Sequence, residues 1–409
     1  MTGNPDALAG QRLPTRGSSQ GGLRQYNERV VLQAVRLHGA LPGAELARLT
    51  HLTAQTISLI SKRLIDDGLL LKGQPQRGKV GQPAVPLSLN PDGAYAIGIK
   101  VGRRSLDVLL VDFTGAVRER WSLDYAFPEP DTLLAEIDQR LQLIRRKLGP
   151  AQHRRVQGIG IAAPLSMGGW QQLLGIDEAL SDRWNHVDLR TEVSRLTDLP
   201  VDLLKDTAAA CVAELVSGRG RNVKSFLYVF VDTFIGGGLV IDSQLRAGLH
   251  GNAGAIGSLP LGLAGEGGDA PPPQLLSVGS LLSLEARYSK AGLDPSAAGD
   301  ARALQLSWRP YTERWLNEAA ASIALAVNSA ACLLDLDSVI VDGSFDRDLL
   351  AALLAALDRS MNRYSWEGVQ RPRALAGTIG SDARAIGGAL LPLYANFAPD
   401  RDLFLKLAV

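Results

Sequence analysis

Residues 41–72 read LPGAELARLTHLTAQTISLISKRLIDDGLLLK. Within this stretch Ile57, Ile60, Leu64 and Ile65 recur at helical spacing and predict one buried stripe. Gln55, Thr56, Ser58, Lys62 and Arg63 fall on the other faces. A short helix, a tight turn and a second helix with a polar, basic outer face suit insertion into a DNA major groove. Thr53 is placed to cap the second helix. His51 stands at the turn, where glycine is common, and histidine tolerates positive φ better than most residues.

Working outward, Leu23–Gly39 is expected to form a preceding helix with Val31, Ala34 and Val35 inward. Leu69–Lys72 and Ala84–Leu89 read as strands, the second alternating Val85, Leu87 and Leu89 inward. The intervening GQPQRGKVGQP (73–83) sets Arg77 and Lys79 among glycines and prolines, a hairpin tip suited to phosphates or the minor groove. The expectation is a winged helix over 23–90, preceded by a Gly/Ser/Pro/Gln-rich flexible arm over 1–22. Gln55, Thr56 and Ser58, beside Thr53 near the start of the recognition helix, are candidates for base edges. Glutamine can pair bidentately with adenine, and hydroxyls serve either base type. Lys62, Arg63, Lys72, Arg77 and Lys79 are candidates for phosphate contact, with Gln82 near the groove.

The chain has 409 residues, enough for two or three folding units with ample core. Its hydrophobic content of 46% with 21% charged residues is that of an ordinary soluble globular protein. The net charge of +1 hides an asymmetry: through Asn90 there are eleven Lys and Arg against five Asp and Glu. A basic head on a mildly acidic body fits a nucleic-acid-binding module joined to something else. Cys211 and Cys332 lack zinc-ligand spacing and read as small core residues of a reducing compartment. The N-terminus shows no signal-like apolar run, and no uninterrupted apolar stretch reaches membrane-spanning length. A cytoplasmic location without membrane contact is expected.

From Ala94 the pattern changes. YAIGIKV, LDVLLVDF and AVRERWSL read as three consecutive strands, followed by a helix over about 132–148. VQGIGIAA and LPVDLLKD are further strands, the latter running into a helix at TAAACVAELVSG. FLYVFVD, GGLVID and QLRAG then repeat the strand run, ahead of a long helix over about 312–334 and the strand SVIVDG. Three strands, then helix, strand and helix, occurring twice, signal a duplicated α/β fold with a cleft between lobes.

The segments ELARLT to GLLLKG, GQPAVPLSLNP, GIGIAAP, LPVDLLKD, FIGGGLVID and SLEARYS occur here in one order and spacing. In them the chain resembles the ROK family of repressors and sugar kinases, in particular its xylose-repressor and N-acetylglucosamine-repressor branch. The resemblance implies an α/β fold class: an N-terminal winged helix-turn-helix followed by a two-lobed actin-like ATPase domain over 91–409. Lobe one would span about 91–205 plus the C-terminal helix, and lobe two about 206–385.

The departures from that family bear on chemistry. Its kinases carry an Asp-x-Gly-Gly-Thr-Lys turn that cradles ATP phosphates. The matching residues are Lys100, Val101, Gly102, Arg103, Arg104 and Ser105. A cation at the acidic position that would organise Mg²⁺, with two arginines in the phosphate turn, argues against nucleotide turnover. The run Asp232 to Gly238 is read as a tight inter-strand turn ahead of ATP binding. The family's zinc cluster is replaced by Ser258, Val278 and Ser283, so no metal is expected. The resemblance places Lys205 and Asp206 in the sugar pocket, Asp206 matching the kinase general base and Glu285 a sugar-contacting glutamate. Asn252 and Ser258 are further ligand-binding candidates. Lost carboxylate and imidazole contacts, with Lys205 replacing a neutral amide, point to a sugar, sugar phosphate or sugar acid. The alternative is an empty pocket in which Lys205 pairs with Asp206. Trp184 is read as a packing anchor.

The reading is a DNA-binding transcriptional regulator, a repressor of carbohydrate-related genes. It would act as a homodimer or higher homo-oligomer on a double-stranded operator, without cofactor or catalytic residue. The competing readings are a sugar kinase with an N-terminal extension and a dimeric scaffold that senses a protein partner and no small molecule.

Overall fold

The computed structural model describes residues 20–75, 84–169, 171–265 and 270–399. The chain divides into two compact units, residues to Asn90 with Phe397–Pro399, and Pro91–Asn396. Arg77, Lys79 and Gln82, and all but the end of the expected arm, lie outside the described residues.

The first unit runs α1 (Gln20–His38), β1 (Leu41–Pro42), α2 (Gly43–Thr50), α3 (Ala54–Asp66), β2 (Leu70–Lys72) and β3 (Pro86–Leu89). The strands form an antiparallel sheet in the order β1-β3-β2. Val31, Val35, Leu46, Ile57, Ile60 and Leu64 are buried together with Leu70, so the helices close over one small core. Helix α2 ends at His51 in the left-handed region, φ 56° and ψ 23°. Thr53 is extended, and its side chain accepts the Thr56 amide at 3.2 Å, which starts α3. At the other end Gly68, with φ 73°, lets the Leu69 amide return to the Leu64 carbonyl at 2.8 Å.

Three expectations are corrected here. Helix α1 begins at Gln20, inside the segment read as an arm. Ile65 is only half-buried. Val85 does not point inward: it is 36% exposed, because β3 starts at Pro86 and only Leu87 and Leu89 alternate into the core. The two-residue β1, which pairs Leu41 with Leu87, is too short to leave a periodic signal.

The second unit holds two lobes. In the first are β4 (Tyr95–Val101), β5 (Ser105–Asp112), β6 (Val117–Asp124), α4 (Pro130–His153), β7 (Val156–Ala163), α5 (Gln171–Leu174), α6 (Glu178–Asn185), α7 (Leu189–Ser194) and β8 (Val201–Lys205). In the second are α8 (Asp206–Ser217), β9 (Phe226–Val231), β10 (Gly236–Ile241), β11 (Gln244–Arg246), α9 (Leu275–Gly279), α10 (Leu281–Lys290), α11 (Arg309–Leu334), β12 (Ser338–Gly343), α12 (Arg347–Met361) and β13 (Arg373–Ala376). Helix α13 (Ala383–Phe397) then returns to the first sheet.

The sheet orders are β6-β5-β4-β7-β8 and β11-β10-β9-β12-β13. Each pairs its first three strands antiparallel and its last two in parallel, so the duplication visible in the strand runs is one of topology. The central strands β4 and β9 are buried at every residue and read as continuous apolar runs because both faces are covered. Edge strand β6, VRERWSLD, is charged and largely exposed.

Helix α11 is long and apolar enough to cross a membrane by length and composition, although Glu313, Arg314 and Glu318 interrupt its apolar run. Its Trp315, Ala319, Ile323 and Val327 are fully buried in the core of lobe two. At its C-terminal end the helix turns outward: Cys332 is exposed, not a core residue, whereas Cys211 is buried. Trp184 is buried and donates its indole N–H to the Pro128 carbonyl at 2.8 Å.

Glycines let backbones meet where α13 crosses the first sheet. A Cβ at Gly160 would lie 1.9 Å from the Gly388 carbonyl oxygen, whereas one at Gly299 would meet nothing within 4 Å. Gly160→Ala is expected to lower stability by about 1–3 kcal/mol, the usual cost of overpacking. Gly299→Ala is expected to sit within about 0.5 kcal/mol of the parent, as surface changes do. Urea unfolding of both variants checks this.

Candidate functional site

Two surfaces bring the candidate residues together, one in each unit. In the first, α3 turns Gln55, Ser58, Leu59 and Lys62 outward while Ile57, Ile60 and Leu64 face the core. Thr53 and Thr56 are engaged in the cap, their hydroxyls 2.8 Å apart. Arg63 does not stand free for phosphate: its guanidinium pairs with Glu28 of α1. Lys72 is exposed on β2. Leu59, 61% exposed, joins this outer face; it falls outside the helical spacing of Ile57, Ile60 and Leu64 that marks the core stripe.

In the second unit a cleft of about 480 Å³ opens between the ends of β4, β5, β8 and the start of β10. Lys205, Asp206, Asn252, Ser258 and Glu285 all line it. Chain topology explains the convergence: β8 delivers Lys205 and then Asp206 as the first residue of α8, while α10 presents Glu285. Lys205 Nζ donates to Asn252 Oδ1 at 2.9 Å, so its partner is a neutral amide and not Asp206. Burial lowers the Lys205 amine below its ordinary pKa, partly offset by the Asp206 charge.

Ion pairs dominate the rest of the cleft. Lys100 is buried and bridges Asp107 at 3.0 Å, with Ser105 also bonded to its ammonium. Burial, and after it the Arg384 charge, pushes the Lys100 amine down. Arg104 grips Glu285 bidentately, its Nη1 lying 2.6 and 2.7 Å from the two carboxylate oxygens. Arg103 donates to the Ser166 carbonyl at 2.9 Å and lies 4.8 Å over the Phe234 ring. Arg384, carried by α13, reaches Asp232 at 2.5 Å, and Arg120 pairs with Asp382. Burial pushes the Asp232 carboxyl up, but Arg384 and then Lys100 outweigh it and hold the group below its ordinary value. Six cations thus face five carboxylates around the cleft, an excess of one positive charge.

This arrangement does not suit a divalent ion at the β4–β5 turn, because the ammonium of Lys100 already neutralises the carboxylate there. The glycines of β10 are accounted for by packing. A Cβ at Gly236 would stand 2.8 Å from Thr207, and one at Gly238 would stand 2.6 Å from Cys211. Where thiolates would hold zinc, Ser283 Oγ donates to the Val278 and Ser280 carbonyls at 2.7 and 2.8 Å. Among the described residues no group of three His, Cys, Asp or Glu is placed to hold a metal. Arg384 had no sequence signal, since it comes from the far end of the chain.

Comparison with known proteins gives the family context. The ROK family model matches residues 96–394. A xylose repressor from Caldicellulosiruptor bescii is 26% identical over 238 residues, a stretch that spans 58% of this chain and 58% of that one. A solved ROK family transcriptional regulator, described as a homolog of the E. coli MLC protein, superposes with a TM-score of 0.66 at 21% identity. That match covers 92% of this chain and 97% of the other. A ROK family glucokinase from Streptomyces griseus, solved with glucose and AMPPNP, gives a TM-score of 0.56 at 20% identity, over 73% of this chain and 99% of that one.

The Asp232–Arg384 pair yields a pH-dependent prediction. A carboxyl whose folded pKa is depressed contributes stability above its unfolded value, and the contribution is lost as pH falls through the folded value. Asp232→Asn strands a buried guanidinium and is expected to cost about 3–5 kcal/mol near neutral pH. The gap to the parent should narrow below about pH 4, where the parent's own carboxylates protonate. Urea unfolding at neutral and acid pH measures both parts.

Proposed function

The chain belongs to the ROK family, and from that premise we propose that it is a DNA-binding transcriptional repressor of carbohydrate-related genes. Its kinase-like body is catalytically inactive and serves as an effector-binding or dimerisation domain. The observation that carries this reading is the basic first unit. There α2 and α3 meet at a tight turn, the outer face of α3 bears Gln55, Ser58 and Lys62, and β2 pairs antiparallel with β3. A homodimer in the cytoplasm places two copies of α3 on half-sites separated by one or more helical turns of ~34 Å. Gln55 and Ser58 address base edges, with Thr53 and Thr56 shaping the helix entry. Lys62 and Lys72 meet phosphate, and the same role is assigned on sequence grounds to Arg77 and Lys79, with Gln82 near the groove.

The absence of turnover rests on two side chains. Lys100 neutralises Asp107 where a kinase needs a metal-organising acid, and Arg104 occupies both oxygens of Glu285. The kinase reading therefore stands behind the repressor reading. The effector is a sugar derivative bound between Lys205, Asp206, Asn252, Ser258 and Glu285. The cleft's positive excess and the amide-bonded Lys205 favour a sugar phosphate or sugar acid. Such a ligand regulates DNA binding only by favouring one lobe arrangement over another.

Two outcomes are expected. Lys62→Ala should weaken binding to specific and scrambled duplexes alike and reduce the salt slope by about 1, whereas Gln55→Ala should relax discrimination at particular bases. Fluorescence anisotropy across a salt series separates the two; identical behaviour on both duplexes overturns these roles. Titration calorimetry with sugars, sugar phosphates and sugar acids should show heat with the anionic members; silence from every compound removes the effector. Phosphotransfer from ATP to any of these sugars would return the kinase reading to first place.

A further inference from the structure

Along α3, Gln55, Leu59, Lys62 and Asp66 recur at i, i+4, i+7 and i+11, so they share one outward stripe. Three of these are polar; Leu59 is not, and it is 61% exposed although the unit buries Val31, Leu46, Ile57, Ile60 and Leu64 nearby. An exposed leucine at the centre of a polar stripe gains nothing for folding. The unit that carries it holds eleven Lys and Arg against five Asp and Glu through Asn90, a charge complementary to a phosphate backbone. In a major groove the one apolar feature on a base edge is the C5-methyl group of thymine, and apolar side chains read it by contact.

We propose that Leu59 is a specificity-determining residue that packs against a thymine methyl, flanked by Gln55 and Ser58 at neighbouring base edges. The inference rests on the DNA-binding reading given above and deepens it by naming one base and one atom group. Leu59 makes the operator half-site carry thymine at a fixed step, while Lys62, one turn along, holds the adjacent backbone.

The test uses the full chain. Duplexes are selected from a randomised pool, and each thymine of the enriched half-site is then replaced singly by deoxyuridine, which removes only the methyl. At one position per half-site the parent protein should lose roughly fourfold in affinity, the transfer value of one buried carbon. Leu59→Ala and Leu59→Gln, both at an exposed position, should bind with unchanged salt slope and show no loss on the uridine substitution. If no thymine is sensitive, or if the variants are as sensitive as the parent, Leu59 does not read a methyl and the proposal is overturned. Loss of self-association in either variant, measured by sedimentation, would assign Leu59 to contact between copies and overturn it equally. Failure to enrich any duplex removes the DNA-binding reading itself, and this inference with it.

Discussion

Helix α13 lies against strands β4 and β7 with no room for a side chain between them. A Cβ at Gly98 would sit 2.0 Å from the Ala385 carbonyl oxygen, and one at Gly387 would sit 1.7 Å from that of Ala209. Backbone therefore meets backbone on both sides of this helix, toward the first sheet and toward α8. Close packing of this density transmits position, since neither partner can shift without collision. Because α13 is fixed in this way, its Arg384 is delivered to Asp232 of lobe two, and the charge balance of the cleft follows from a steric constraint on the other side of the helix.

The cleft is built from exchanges of partner. Lys100 holds Asp107, Arg104 holds Glu285, and Arg120 holds Asp382, so each of these three carboxylates is already engaged by a cation of the protein. A buried ion pair is weak evidence for stability, since desolvation offsets much of the attraction. Its value here is positional. Arg104 comes from the β4–β5 turn and Glu285 from α10, so their bidentate contact joins the two lobes across the cleft. Nearby, two fully buried carboxylates grip residues 378–380: Glu214 accepts the Thr378 amide at 3.1 Å, and Asp342 accepts the Gly380 amide at 2.8 Å.

Much of the architecture was legible in the residues. YAIGIKV and FLYVFVD announced central strands because burial on both faces removes the polar alternation. Thr53 and His51 announced the turn between α2 and α3 because capping and positive φ are local properties. What escaped the sequence was settled by distant chain. Val85 alternates correctly yet stands outside β3, whose start is fixed by pairing with β1. Arg63 looked available for phosphate until Glu28 of another helix reached it. The candidate pocket residues were found through family resemblance, but their partners were not. Asn252 rather than Asp206 takes Lys205, and Arg104 takes Glu285, neither of which periodicity or spacing encodes.

The two cysteines differ in access. Cys211 is buried beneath the β10 glycines, where desolvation drives its thiol pKa upward and leaves almost no thiolate. Cys332 stands in solvent at the end of α11, beside the 81% exposed Leu333. The native chain thus carries one accessible sulfur for a maleimide dye or spin label, and a reporter can be attached to lobe two without altering a single residue.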